Sequence, residues 1–302
     1  MGLLAVQVLF GVNYVVSKMI LGYFPPLVWA VIRMALAATV MLSVLSVTRR
    51  HLYPKDGWKF YGPLALLSVF GIILNQSLFL LGLKHTTATN SAVLNVLTPV
   101  FTMLIMTLRG HERRDASRYR RYFGFFLAFA GVLAIRKIEE IKFSNETFLG
   151  DFLTILNCLS FSIFLTISQK FFQAHDRLWS TAWMFIYATI GIGLMSAGSW
   201  SGFVFPPMTW ELGVAIFFAV VGATVLTYFL NAWALTYANP VHVSLGIYIQ
   251  PVIAALLAWS MFDEKITVRT ALSSLLIFVG LFLVLVRGPN PTSSKVIEGK
   301  PA

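Results

Sequence analysis

The hydrophobic positions of the chain fall into long runs, broken at intervals by proline, glycine or charge. Ten runs predict helices, over residues 3–22, 26–48, 61–83, 86–108, 119–136, 149–173, 178–200, 211–237, 240–262 and 268–287. A hydrocarbon core of roughly 30 Å takes about 20 apolar residues in helical form. The pattern therefore predicts an all-α integral membrane protein with ten transmembrane helices. The first run, Gly2 to Ile20, lacks the basic segment and small-residue cleavage site of a removable signal peptide. It is expected to be a retained helix.

A constant shift of 152 residues superimposes unusual features of the two halves: Lys18 falls on Lys170, Leu83 on Leu235, Pro99 on Pro251 and Glu112 on Glu264. Two five-helix units are expected, over 3–136 and 149–287, followed by a cytoplasmic tail over 288–302. Because five is odd, the second unit must enter the membrane from the side opposite to the first. Inverted pairs of this kind characterise secondary transporters, whose substrate site lies between the halves near the midplane.

Polar side chains interrupt the runs at Asn13, Asn75, Gln76, Asn90 and Asn95, then at Asn157, Thr227, Asn231, Ser244, Tyr248 and Gln250. In lipid such groups must face protein or water. Singly, each is as consistent with bonding between helices as with substrate contact. As a set they fit a cavity that hydrogen-bonds a small polar solute. Phe10, Tyr14, Phe79, Phe161, Phe164 and Trp233 lie near the same levels, mostly as ordinary packing.

Pro99 and Pro251 lie near the middle of the fourth and ninth runs. Each removes a backbone donor and frees the carbonyl four residues earlier, at Asn95 and Ile247. Their equivalent placement in both halves suggests two gating points beside a cavity. Arg33 lies well inside an apolar run, about two turns beyond Pro26. Two readings of it remain open: it attracts an anionic group or pairs with a carbonyl in the outer part of the cavity, or its stem snorkels to the interface. Lys18 and Lys170 read as interfacial anchors.

Composition sharpens this picture. The chain is 58% hydrophobic and 12% charged, against about a quarter charged in ordinary soluble domains, which excludes a water-soluble fold. A net charge of +11 would suggest nucleic acid in a soluble protein, but here the basic residues stand between apolar runs, the pattern of membrane orientation. Fifteen Lys and Arg fall on one side against seven on the other, with Arg33 set aside. The positive-inside rule then puts both termini in the cytoplasm of a cell-membrane protein, and the sequon at Asn145 falls outside.

The single cysteine, Cys158, allows neither an intramolecular disulfide nor a cysteine metal site. All twelve Asp and Glu lie in loops or at helix ends, leaving no midplane carboxylate for a proton relay. His85 and His242 stand at helix starts, where capping is the commoner role. His111-Glu112-Arg113-Arg114-Asp115 lacks the second histidine of a zinc protease motif. No base accompanies a candidate serine nucleophile, so an enzyme is not expected, nor any cofactor or metal.

Phe10-Gly11-Val12-Asn13-Tyr14 through Lys18, then Pro25-Pro26 and Arg33, resembles the opening of a drug/metabolite transporter repeat of the EamA type. Gly82-Leu83-Lys84-His85-Thr86, Leu97-Thr98-Pro99-Val100 and Glu112 resemble the fourth helix of that repeat. The second half answers with Ala234-Leu235-Thr236-Tyr237-Ala238, Ile249-Gln250-Pro251-Val252 and Asp263-Glu264-Lys265-Ile266-Thr267. Two departures stand out: Arg109-Gly110-His111-Glu112 where an apolar residue usually precedes Gly-Glu, and Asp263 where glycine is usual. The resemblance implies two inverted bundles, a cavity lined mainly by helices 1, 3, 4, 6, 8 and 9, alternating access, and export of amino acids or other small metabolites.

The resulting expectation is a transporter that binds its solute through Asn13, Asn75, Asn95, Asn157, Asn231, Tyr248 and Gln250, with Arg33 nearby. Its partners are a small-molecule substrate and the lipid bilayer, with no nucleic acid and a homodimer left open. The alternatives are an antiporter of phosphorylated metabolites or nucleotide sugars, and a non-transporting membrane scaffold.

Overall fold

The computed structural model of the protein describes residues 2–48, 58–110, 118–134, 146–263 and 267–285, and among these no strand is present. α1 (Gly2–Ile20) turns at Pro25 into α2 (Pro26–Val47). Pro26 takes the first helical position, where its missing N–H leaves no bond unmade. α3 (Trp58–Ser68) runs through a π-helical segment, Val69–Ile73, into α4 (Leu74–His85). α5 (Ala88–Asn95), α6 (Leu97–Leu108) and α7 (Arg118–Ala134) follow. α8 (Glu146–Ala174) and α9 (Arg177–Met195) lead to α10 (Trp210–Phe217), a second π-helical segment over Phe218–Leu226, and α11 (Thr227–Tyr237). α12 (Pro240–Leu245), a 3-10 turn over Gly246–Ile249, α13 (Gln250–Phe262) and α14 (Val268–Leu285) complete the order.

Among the described residues, six helical stretches are long and apolar enough to cross a membrane: Pro26–Val47, Lys59–His85, Ala88–Leu108, Glu146–Ala174, Arg177–Met195 and Trp210–Tyr237. Ala5–Ile20, Gln250–Phe262 and Ala271–Gly280 are shorter apolar helices. The outer surface carries exposed Leu66, Phe126, Ile190, Leu256, Leu275 and Phe282. An exterior of that kind suits hydrocarbon and would aggregate in water.

The prolines act differently from the expected mid-helix kinks. Val96 breaks the fourth run, so Pro99 is the third residue of α6, and Pro251 is the second residue of α13 after the 3-10 turn. A first turn has no intrahelical use for its N–H groups, so a proline there starts a helix instead of bending one. Thr87 caps α5 by accepting from the Asn90 N–H at 3.1 Å, and Asn239, 152 positions later, accepts from the Val241 N–H at 2.9 Å. The two π-helical segments, which the hydrophobic pattern did not signal, also overlap under that shift.

Packing follows the same offset. α8 lies against α4, α5, α6 and α11, while α1 lies against α11 and α13; α2 pairs with α9 and α7 with α14. The Lys18 Nζ donates to the carbonyls of Leu83 at 2.7 Å and Thr86 at 2.6 Å, closing the end of α4. At the matching end of α11, Ala238 O accepts instead from Gln169 Nε2 at 3.0 Å, and Lys170 is exposed. Glu112, Glu264, the Asn145 sequon position and the 288–302 tail lie outside the described residues.

α4 and α8 meet backbone to backbone. A Cβ on Gly82 would stand 2.9 Å from Gly150 O, and one on Gly150 would stand 2.8 Å from Gly82 O. Neither obstacle is a flexible side chain, so Gly150→Val must force the helices apart. We expect at least the ~1–3 kcal/mol typical of overpacking, read as a lowered thermal midpoint in detergent, whereas Gly193→Val, with open space at its Cβ, leaves the midpoint unchanged.

Candidate functional site

A cavity of about 60 Å³ lies between the helices. Its walls come from α1 (Gln7, Phe10, Asn13, Tyr14), α4 (Asn75, Gln76, Phe79), α5 (Asn95), α8 (Asn157, Phe161, Leu165), α11 (Tyr228, Asn231) and the α12–α13 region (Val243, Ser244, Ile247, Gln250). Six of the expected contacts, Asn13, Asn75, Asn95, Asn157, Asn231 and Gln250, share this wall. Tyr248 belongs to the 3-10 turn, and its side chain lies outside the described residues. Phe164 is buried but stacks behind Phe161, and Trp233 is 43% exposed on the outer surface.

Arg33 does not line the cavity, nor does it snorkel; it is wholly buried one side chain behind the wall. Its Nε donates to Thr224 Oγ1 at 2.5 Å, Nη1 to Gln76 Oε1 at 3.3 Å, and Nη2 to Asn13 Oδ1 at 3.3 Å and Ala223 O at 3.1 Å. All four acceptors are neutral. Thr224 and Ala223 belong to the second π-helical segment, so this side chain ties α2 to the other half of the chain. Gly71, 152 residues before Ala223 and inside the first π-helical segment, accepts from the Tyr228 hydroxyl at 3.0 Å.

A run of amides continues from the guanidinium. Gln76 Nε2 donates to Asn75 Oδ1 at 3.3 Å, Asn75 Nδ2 to Asn157 Oδ1, Asn157 Nδ2 to Asn95 Oδ1 at 3.4 Å, and Asn95 Nδ2 to Ser91 O at 3.3 Å. Tyr228 braces the run by accepting from Gln76 Nε2 at 3.1 Å, and its position is Gln76 shifted by 152. Across the cavity, Tyr14 donates to Gln250 Oε1 at 3.2 Å, whose Nε2 donates to Gln7 Oε1 at 2.5 Å. The Asn231 side chain makes no hydrogen bond among the described residues and faces the cavity.

Sequence reasoning missed Gln7 and Tyr228. Gln7 stands seven residues before Tyr14 and three before Phe10, so helical spacing from those two wall residues pointed to it. Tyr228 could have been found from Gln76 by the 152-residue shift. Among the carboxylates, Asp151 is buried near the start of α8 and accepts from Thr86 Oγ1 at 2.6 Å, away from this wall. Among the described residues no group of His, Cys, Asp and Glu is placed to hold a metal.

A helical bundle with an apolar exterior and an amide-lined cavity at its centre defines a membrane protein with a polar interior. The profile of the EamA-like transporter family matches residues 1–137 and again 148–286. The chain belongs to this family. It is similar to an uncharacterized transporter of Archaeoglobus fulgidus, 29% identical over 73% of this chain and 74% of the relative. It also resembles the uncharacterized transporter YoaV of Bacillus subtilis, 22% identical over 94% of this chain and 95% of the relative. A WAT1-related protein of Arabidopsis thaliana is 24% identical over 86% and 77% of the two chains. A solved crystal structure superposes with a TM-score of 0.64 at 14% identity, covering 94% of each chain, a likeness of fold alone. The chain is thus a multi-pass membrane transporter and not an enzyme.

The Tyr228 hydroxyl serves three partners, Gly71 O, Asn75 Oδ1 and Gln76 Nε2. Tyr228→Phe leaves the packing and removes these bonds. At about 0.6 kcal/mol for an average interhelical bond in a membrane protein, the thermal midpoint in detergent should fall by a few degrees, with helix content by circular dichroism unchanged.

Proposed function

We propose that the protein exports a small polar metabolite, such as an amino acid, across the cell membrane by alternating access between two inverted five-helix repeats. The observation that carries the proposal is the cavity itself: aromatic side chains and carboxamides from both halves surround one buried space. The paired π-helical segments, the breaks before Pro99 and Pro251, and the double family match support the two repeats. The self-pairing of α2 with α9 and α7 with α14 is what a two-fold relation between the halves requires.

The distribution of Lys and Arg supports an orientation with both termini in the cytoplasm. Pro99 and Pro251, at the starts of α6 and α13, mark where each broken helix swings as access alternates. A carrier of phosphorylated metabolites wants several cations converging on the solute, and Arg33, Lys18, Lys84 and Lys170 are all absent from the wall. The oligomeric state of this reading is a monomer or a homodimer.

Proteoliposomes loaded with a mixed pool of amino acids and other small metabolites, with mass spectrometry of what leaves, test the proposal. Selective loss of one solute class is expected, and absence of loss relative to empty liposomes sinks it. Asn231→Ala should lower that flux by about tenfold, the scale of 1–2 lost solute hydrogen bonds, with expression and thermal midpoint near the parent's, whereas Asn75→Ala should lower both flux and midpoint, because Asn75 also bonds Asn157, Gln76 and Tyr228. Parental flux in both variants would remove the cavity assignment.

A further inference from the structure

We propose that Arg33 selects a solute bearing a single carboxylate, and does so without touching it. This rests on the transporter reading above and names the chemistry of its site.

The guanidinium is wholly buried and its four acceptors are neutral, so its charge is solvated but not cancelled. Among the described residues no Asp or Glu pairs with it. Two of its acceptors, Asn13 and Gln76, are themselves cavity wall. A solute in the cavity therefore feels an unneutralised positive charge through one layer of amide.

The same cation fixes which way those amides face. Arginine has donors and no acceptor, so Gln76 must turn its oxygen to Arg33 and its nitrogen to Asn75. Each amide then passes the direction on, from Asn75 to Asn157 to Asn95. The run ends at the Ser91 carbonyl, which can only accept, so both ends demand the same orientation. Asn13 is locked likewise: its oxygen already accepts from Ser17 Oγ at 3.1 Å and from Arg33, which leaves its amide nitrogen for the cavity. Beside the charge, Asn13 thus offers its amide N–H groups to the cavity, the geometry that receives an oxygen anion, while those of Gln76 are spent on Asn75 and Tyr228.

One cation attracts one carboxylate, and the ammonium of an amino acid is common to the acid and its α-carboxamide and drops out of their comparison. A dianionic phosphate would leave the buried site with net negative charge, and an uncharged carboxamide would leave the guanidinium uncompensated. Arg33 is in this sense a positioning and specificity-determining residue, not a ligand.

The test uses full-length protein in proteoliposomes loaded with free amino acids, their α-carboxamides and sugar phosphates together, with each efflux rate read by mass spectrometry. Wild-type protein is expected to release acids over the matching amides by at least about tenfold, the scale of one charge-assisted hydrogen bond. Arg33→Gln should bring that ratio to within about twofold by the same arithmetic, and Arg33→Lys should leave it between the two. Gln76→Glu supplies a second arm. It places a carboxylate against Arg33, cancels the field while keeping the buried cation compensated, and should collapse the ratio in the same way.

A ratio of two solutes on one preparation does not depend on how much protein folded, and Gln76→Glu keeps the guanidinium in place, so a merely structural role for Arg33 leaves the ratio of that variant unmoved. An unchanged ratio in either folded variant overturns the proposal. Wild-type preference for carboxamides or sugar phosphates also overturns it, while leaving the transporter reading intact. No efflux of any member of the pool ends both.

Discussion

A guanidinium in the middle of a membrane bundle must be surrounded by oxygen atoms, because neither lipid nor an apolar core can solvate it. Arg33 obtains them from three elements at once: Asn13 on α1, Gln76 on α4, and Thr224 with Ala223 on the second π-helical segment. Removing any of these partners leaves a buried charge short of an acceptor, a loss more costly than that of an ordinary surface contact. The relative placement of α1, α2, α4 and α10–α11 is therefore constrained by one side chain. The cavity lies where those helices meet.

The irregular backbone of the protein sits in the same region. Spanning segments tolerate non-α geometry only where protein or water satisfies the freed groups. Gly71 O and Ala223 O, both inside π-helical segments, accept from Tyr228 and Arg33 respectively. The helix breaks at Val96 and at Gly246–Ile249 border wall residues Asn95, Ile247 and Gln250. These interruptions are paired with specific donors or with the cavity, and long apolar stretches with few departures from α geometry make up the rest.

Much of the architecture was legible because length and apolarity alone decide where a helix can cross a bilayer. Asn13, Asn75, Asn95, Asn157, Asn231 and Gln250 were legible for a related reason: an amide inside an apolar run has nowhere to face but inward. Arg33 could be located but not understood, since its acceptors lie 20 to 191 residues away in sequence. The π-helical segments leave no mark in the hydrophobic pattern, which hardly changes when a turn widens by one residue. Pro99 and Pro251 were found, yet a proline that bends a helix and one that begins a helix look alike in sequence; the turn at Val96 and the 3-10 segment decide between them. The clamp on the end of α4 was half legible. Lys18 fits it, but its counterpart is Gln169 and not the Lys170 that the repeat suggested.

Cys158 lies beside the amide run, its thiol donating to Thr154 O at 3.0 Å and lying 3.5 Å from Leu94 O and 3.6 Å from Asn95 Oδ1. It is wholly buried between α8 and α5, and it is the chain's single cysteine. A maleimide that reacts with a cysteine of this chain has a single target, and that thiol is closed off between α8 and α5. The native polypeptide thus carries its own reporter for any parting of that seam, with no need to engineer a cysteine-free background.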